Sequence, residues 1–209
     1  FTGQQLTTQL DADGTLTVQL NDHSWDAPTG TQVLIKVEAT PINPSDLGLL
    51  FGGADMSTAR ASTRDGLPVI TADVPPEGMR AMSGRIGDAL AIGNEGCGTV
   101  VAAGDTPEAQ ALLGKTVALL GGEMYAEYRC LPVQMVMPLP EGTDPADGAS
   151  CFVNPLTSLA FTETMRMENH SAIVHTAAAS NLGQMLVKIC AKDGIPLVNI
   201  VRSDAQVEI

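Results

Sequence analysis

Residues 172–201 read AIVHTAAASNLGQMLVKICAKDGIPLVNIV, and this stretch decides the fold of the second half of the chain. Two short apolar runs, 172–176 and 196–201, have the length and composition of buried strands. Between them, apolar residues recur at the helical spacing, at positions 182, 185, 186, 189 and 190, and Asp193-Gly194 ends the pattern. Strand, helix and strand within about 30 residues predict a βαβ unit, whose crossover is right-handed as a rule.

The turn between the first strand and the helix carries small residues at a spacing typical of nucleotide-binding turns. In the pattern G-x-G-x-x-G, small residues let backbone N–H groups and a helix N-terminus approach a pyrophosphate closely. The corresponding positions here hold Ala178, Ser180 and Gly183. The predicted cofactor-binding residues of the turn are therefore Ala178, Ala179, Ser180, Asn181, Leu182 and Gly183. A strand, turn and helix that only pack tightly show the same pattern, so that alternative stays open.

The end of the second strand indicates which dinucleotide is bound. NAD-binding proteins usually carry an acidic residue there, which binds the ribose hydroxyls. This chain has Arg202-Ser203 instead, and a cation beside a hydroxyl suits the 2′-phosphate of NADP. The residues predict NADPH as the cofactor, with Arg202 and Ser203 as ligands. An ordinary surface arginine is the alternative, since Asp204 follows directly.

In the first 140 residues, short strand-like runs alternate with turn residues, as is typical of an all-β region. Short alternating or β-branched runs are separated by glycine and proline, at residues 15–20, 32–39, 98–103, 116–120, 126–130 and 134–137. They predict a compact barrel. Residues 51–93 show no long periodic segment, so a long loop is expected there. Its four arginines, at 60, 64, 80 and 85, fit either a clamp for phosphates or a solvated surface.

Charge and composition exclude several classes of partner. The 209 residues include 24 acidic and 11 basic ones, a net charge of −13, which disfavours nucleic acids and anionic membranes. No apolar run reaches the roughly 18 residues of a membrane span. The spacing of the four cysteines matches no short zinc or redox motif, so we expect reduced thiols in a cytoplasmic protein.

Four motifs in a fixed order resemble one known family. They are QVLIKVEATPINPSD at 32–46, GNEGCGTVVAAG at 93–104, NPLT at 154–157 and the turn within 174–183. On these motifs the chain resembles the medium-chain dehydrogenase/reductase superfamily, in its zinc-free NADPH:quinone oxidoreductase branch.

The resemblance implies an α/β plus β fold in two domains. A GroES-like, partly open β-barrel catalytic domain is expected at 1–142, with the long loop at 51–93. The first part of a Rossmann doubly wound parallel sheet that binds NADP is expected at 143–209. Because such a sheet normally has more strands, we expect the 209 residues to be part of a longer protein.

The resemblance also implies roles for particular side chains. Asn43, Asp46 and Asn94 are the expected catalytic residues, with Asp46 organising the loop. Asn43 and Thr157 are expected near the nicotinamide end of the cofactor, and Asn154 is a further expected cofactor-binding residue. Zinc-dependent relatives carry Cys and His where this chain has Asn43 and Asn94, and amides are poor zinc ligands, so no metal is expected. A tyrosine that quinone-reductase relatives often carry is replaced by Gly48.

The predicted activity is hydride transfer from NADPH to a quinone or a conjugated enone without a metal, because the cofactor supplies the chemistry and the protein supplies position. The expected partners are a small-molecule acceptor and a second copy in a homodimer. Two alternatives remain. One is a 2-enoyl-thioester reductase whose loop arginines hold the carrier phosphate, and the other is a non-catalytic cofactor-binding protein with a structural or regulatory role.

Overall fold

The chain divides into two units, Phe1–Ala149 and Ser150–Ile209. Two antiparallel sheets form the first unit. The structure is a computed structural model and describes residues 1–209. In chain order the elements of the first unit are β1 (Thr2–Leu10), β2 (Thr15–Ser24), β3 (Gln32–Ala39), α1 (Pro44–Phe51), β4 (Asp55–Arg64), β5 (Leu67–Asp73), α2 (Pro76–Ala81), β6 (Ala89–Ala91), β7 (Glu95–Ala103), α3 (Pro107–Gln110), β8 (Thr116–Leu120), β9 (Tyr128–Pro132), β10 (Val136–Pro138) and α4 (Pro145–Gly148).

The two sheets have five strands each and carry separate apolar cores. Their strand orders are β4-β5-β2-β1-β6 and β10-β8-β7-β3-β9. Alternation along β1 and β2 turns Leu10, Leu16 and Val18 to the inner face of the first sheet, where they are buried. The core of the second sheet is rich in β-branched residues such as Val33 and Ile35, which suit a pleated surface.

A short segment from Tyr125 to Glu127 connects the two sheets. The N–H of Leu6 in β1 donates to the carbonyl of Tyr125 at 2.8 Å, and the N–H of Val37 in β3 donates to the carbonyl of Glu127 at 2.9 Å. One stretch of backbone thus pairs with a strand of each sheet, which curls the sheets into a partly open barrel. The GroES-like barrel expected from the sequence is confirmed.

The expectation of a long loop at 51–93 is wrong, because strands and short helices occupy most of this segment. A hairpin of β4 and β5 turns at Asp65-Gly66, where both residues have positive φ, and β5 pairs with β2 to widen the first sheet. Nearly every residue of β4 is exposed, so no apolar alternation marks it as a strand. Periodicity detects only strands that bury one face.

The second unit contains a strand–helix–strand unit preceded by a long helix. Its elements are α5 (Val153–Met167), β11 (Ile173–His175), α6 (Asn181–Asp193) and β12 (Leu197–Asn199). The two strands pair in parallel, so the predicted βαβ unit and the start of a Rossmann-type sheet are confirmed. Helix α5 packs against α6, where the buried Ser158 hydroxyl lies 3.1 Å from the Leu182 carbonyl. None of the helices in residues 1–209 combines the length and apolarity needed to cross a bilayer.

Candidate functional site

The buried carboxylate of Asp46 organises the first group of candidate residues. Asp46 lies at the third position of α1 and is fully buried. One carboxylate oxygen accepts the backbone N–H of Asn43, the N-cap residue, at 2.9 Å, and the other accepts the backbone N–H of Asn94 at 3.0 Å. An acidic residue in this first turn satisfies a free N–H group and complements the helix dipole. This one carboxylate therefore contacts both the 32–46 motif and the 93–104 motif.

Both candidate asparagines use their amide N–H groups within this cluster. The Asn43 side chain is 4% exposed, and its amide nitrogen donates to Glu95 Oε1 at 3.1 Å. The Asn94 amide nitrogen donates to Ser45 Oγ at 2.9 Å on the exposed side. The structure thus brings Asn43, Asp46 and Asn94 together around a second buried acid, Glu95, which the sequence analysis did not select.

Tyr125 is the other residue of this cluster that the sequence analysis missed. Its hydroxyl donates to the Pro41 carbonyl at 3.1 Å, and its backbone N–H donates to the Ile92 carbonyl at 2.8 Å. Burial, followed by the negative charge of Asp46, raises the pKa of Tyr125 above its ordinary value of about 10. Gly93 permits this approach: its φ is +110°, and a Cβ there would lie 2.7 Å from the Tyr125 nitrogen.

The raised pKa of Tyr125 predicts a loss of stability in alkali. Below pH of about 10 the folded and unfolded chains both keep this proton, so its contribution is fully present. Above that pH the unfolded chain releases the proton first, and the free energy of unfolding falls by at most about 1.4 kcal/mol per pH unit. Urea unfolding between pH 8 and 11 should show a shallower fall in Tyr125→Phe than in the parent. Tyr128→Phe changes the only other tyrosine and is the matched comparison, and an equal change of slope in both variants would contradict the role of Tyr125.

The four arginines of segment 51–93 do not form one cluster with a shared partner. Arg60 pairs with Asp73, and Arg64 donates to Gln19. Arg85 donates to the Leu49 carbonyl at 2.8 Å and to Thr8 Oγ1 at 3.1 Å, and so supports the C-terminal end of α1. Arg80 lies exposed in α2. These contacts with separate elements favour a surface role over a common phosphate clamp.

The turn before α6 has the tight geometry that the small residues predicted. Ser180 is the N-cap residue of α6, and its hydroxyl oxygen accepts the Gly183 N–H at 3.0 Å, which leaves the hydroxyl hydrogen available to donate. A Cβ at Gly183 would lie 2.3 Å from the Ala178 carbonyl oxygen and 2.6 Å from that of Ala177. Only glycine lets the first turn of the helix approach the preceding backbone this closely.

Arg202 lines the same cavity as this turn. The cavity measures about 470 Å³ and is bordered by residues 176–180, Ile200, Arg202 and Gln206. The Gln206 side chain accepts the Arg202 backbone N–H at 2.9 Å, while the exposed guanidinium forms no ion pair within residues 1–209. Ser203 follows directly but does not border the cavity. Gln206, which the sequence analysis missed, helps to shape this site.

A dinucleotide phosphate fits this second site on three observations. The helix N-terminus is open beside residues 178–180, the Cβ-free Gly183 sets the close approach, and Arg202 supplies an uncompensated positive charge.

The two remaining cofactor candidates lie in α5. Asn154 is at its second position, and the Thr157 hydroxyl donates to the Val153 carbonyl at 2.7 Å. They share the second unit with Arg202, whereas Asn43 belongs to the first. No group of three or more His, Cys, Asp or Glu residues in 1–209 is arranged to hold a metal ion.

The model of the Alcohol dehydrogenase GroES-like domain family matches residues 29–141, more than half of the chain. The chain belongs to this family. Its resemblance to the quinone-reductase members of the medium-chain dehydrogenase/reductase superfamily is also confirmed.

Three known proteins illustrate the similarity. The mitochondrial enoyl-[acyl-carrier-protein] reductase of Bos taurus is 28% identical over 189 residues, which cover 88% of this chain and 43% of the bovine protein. A Mesorhizobium loti protein classed as an NADPH:quinone reductase superposes with a TM-score of 0.69 at 28% identity, over 99% of this chain and 56% of that one. A mycobacterial protein solved with NADPH superposes with a TM-score of 0.66 at 18% identity, over 98% of this chain and 55% of its own. The chain therefore spans about half the length of these relatives.

Proposed function

We propose that the protein is an oxidoreductase that transfers hydride from NADPH to a quinone or a conjugated enone without a metal ion. The observation that carries the proposal is the cavity in which the unpaired Arg202 guanidinium meets the N-terminal turn of α6. The quinone-reductase relatives support the acceptor class, and the relative solved with NADPH supports the cofactor.

Some residues of the chain would bind the cofactor, and others would bind the acceptor. NADPH, when bound, supplies the hydride. Ser180 and the backbone N–H groups after it would hold the pyrophosphate, and Arg202 would hold the 2′-phosphate. Within the second unit, Asn154 would bind the cofactor and Thr157 would face its nicotinamide end. Within the first unit, Asn94 would offer an amide to the acceptor oxygen. Asp46 positions Asn43 and Asn94 through their backbone N–H groups.

A 2-enoyl-thioester reductase is the second candidate, because curated relatives from cattle and rat carry that activity in their names. The two reactions differ only in the acceptor. Oxidation of NADPH by the full-length protein, followed at 340 nm, is to be compared for quinones, alkyl enones and 2-enoyl thioesters. Turnover with quinones or enones supports the first candidate, and turnover with thioesters alone supports the second. If NADPH is neither bound nor oxidised, both are wrong. The cytoplasmic compartment and the homodimer stay predictions.

Arg202→Ala tests the assignment of the 2′-phosphate. A charge-assisted hydrogen bond contributes about 1.5–3 kcal/mol, so the Kd for NADPH should rise about 10- to 100-fold. The Kd for NADH, which lacks that phosphate, should change less than about twofold. Titration calorimetry on the full-length protein measures both constants, with Arg80→Ala as a control in another exposed arginine. Equal losses for NADPH and NADH would contradict the assignment.

A further inference from the structure

An open apolar groove of about 510 Å³ lies between the two sheets of the first unit. One wall is the inner face of the first sheet, with Leu6, Val18, Leu20 and Ile70 among its residues. Tyr125 and neighbouring residues of the connecting segment belong to the opposite wall. The volume lies within the range of small-molecule sites in proteins.

The groove is a continuation of the apolar face that builds the core of the first sheet. Residues two apart on a strand share a face, so Leu16, Val18 and Leu20 follow one another along β2. Leu16 is 1% exposed and belongs to the core, whereas Ile70, which pairs with Val18 across the strands, is 39% exposed. Apolar surface is therefore buried at one end of the sheet and open at the other.

Tyr125 links the groove to the candidate catalytic residues. It borders the groove, while its hydroxyl donates to the carbonyl of Pro41, two residues before Asn43. Thr40, on the same stretch of chain, also borders the groove. A molecule that lies along the groove therefore ends beside the segment that leads into the Asn43–Asp46 cluster.

The charges of the groove select an uncharged occupant. No lysine or arginine of residues 1–209 borders it, and its only ionisable groups besides Tyr125 are Glu38 and Glu127. Glu127 lies near Gln4, toward the end of β1 that is remote from α1, and accepts the Gln4 N–H at 2.7 Å. An anionic tail would meet these carboxylates without a compensating cation.

Resting on the proposed reductase function, we propose that this groove binds the neutral hydrocarbon tail of the acceptor. The substrate class is then a conjugated carbonyl compound or quinone with an extended apolar chain. Each methylene that leaves water on binding raises affinity by up to about fourfold. Tail length, more than polar contacts, sets the preference among acceptors.

A series of alkyl vinyl ketones tests the proposal on the full-length protein with NADPH. Their tails run from two to ten carbons, and kcat/KM should rise about two- to fourfold per methylene until the groove is filled. Ile70→Glu places a charge in the groove and should remove most of this rise with tail length. Val101→Glu is the matched control, because Val101 is a β-branched strand residue of almost equal exposure, 38%, that does not border the groove. It should keep the rise.

Two further outcomes separate the groove from the reductase function. If neither a ketone of any length nor a quinone is reduced, the proposed function is wrong. If short and long ketones are reduced equally, or Ile70→Glu and Val101→Glu behave alike, the groove proposal is wrong and the reductase function stands. A carboxylate at the far end of the longest tail should lower kcat/KM at least about tenfold, and a preference for that anion would overturn the proposal. Ile70→Ser, which adds no charge, gives a milder second variant and should show a partial loss.

Discussion

Gly183→Ala is expected to weaken NADPH binding at least about 100-fold. The added Cβ would lie 2.3 Å from the Ala178 carbonyl oxygen. Because this oxygen belongs to the backbone, no rotation of a side chain can relieve the clash. The first turn of α6 must move away from the turn before it by about 1 Å, and misplacement of that size costs about 100-fold where binding groups must converge. The N–H groups proposed to hold the pyrophosphate lie in that first turn.

Gly84→Ala is the matched control for this change. A Cβ at Gly84 meets nothing within 4 Å, and the residue lies in the first unit, so the Kd for NADPH should stay within about twofold of the parent. Calorimetry gives both constants, and far-ultraviolet circular dichroism checks that the helices remain. Unchanged NADPH affinity in a folded Gly183→Ala protein would show that the turn does not bind the pyrophosphate.

Local signals account for the elements that the sequence placed correctly. Helix α6 begins at Asn181, one residue before the predicted helical pattern, because Ser180 provides its N-cap. It ends beside Gly194, as predicted, and this glycine has a left-handed φ of 66°. Strand β3 covers Gln32–Ala39 and β8 covers Thr116–Leu120, the predicted ranges in both cases. In each of these elements the stop and start signals and the apolar pattern lie within the element itself.

Strands that depend on distant partners were missed. Strand β1 is rich in threonine and glutamine, yet Thr8 is fully buried because its hydroxyl donates to the Leu50 carbonyl at 2.7 Å. A buried polar residue with a remote partner does not differ in the sequence from an exposed one. The sequence did not predict the hairpin of β4 and β5 for the opposite reason, since β4 buries almost none of its residues.

The candidate site was also predicted only in part, because some of its residues depend on partners that are distant in the sequence. Asp46 and Asn94 stand in motifs that the sequence displays, and the structure joins them by a hydrogen bond. Glu95 carried a weak signal, as a lone acid at the start of a strand of small and apolar residues, where burial requires a partner. Tyr125 carried none, because its approach to Pro41 spans 84 residues of sequence and depends on how the sheets pair.

Asp46→Ala is expected to lower the free energy of unfolding by about 2–5 kcal/mol. Its removal leaves the backbone N–H groups of Asn43 and Asn94 without their acceptor, and each buried unsatisfied donor costs about 1–3 kcal/mol. The first turn of α1 also loses the acidic residue that complements its dipole. The two motifs also lose one of the groups that join them, so reductase activity should fall together with stability.

Two comparison variants make the cause of this loss measurable. Asp46→Asn keeps one acceptor oxygen and should lie between the parent and Asp46→Ala. Asp88→Ala changes an exposed aspartate and should stay within about 0.5 kcal/mol of the parent. Urea unfolding at pH 7 gives all three free energies, and an Asp46→Ala value as close to the parent as that of Asp88→Ala would contradict the organising role of this carboxylate. The carboxylate of Asp46 is a shared acceptor and so couples the backbone positions of Asn43 and Asn94. If these positions set the reactive geometry, Asp46→Ala should lose more activity than Asp46→Asn.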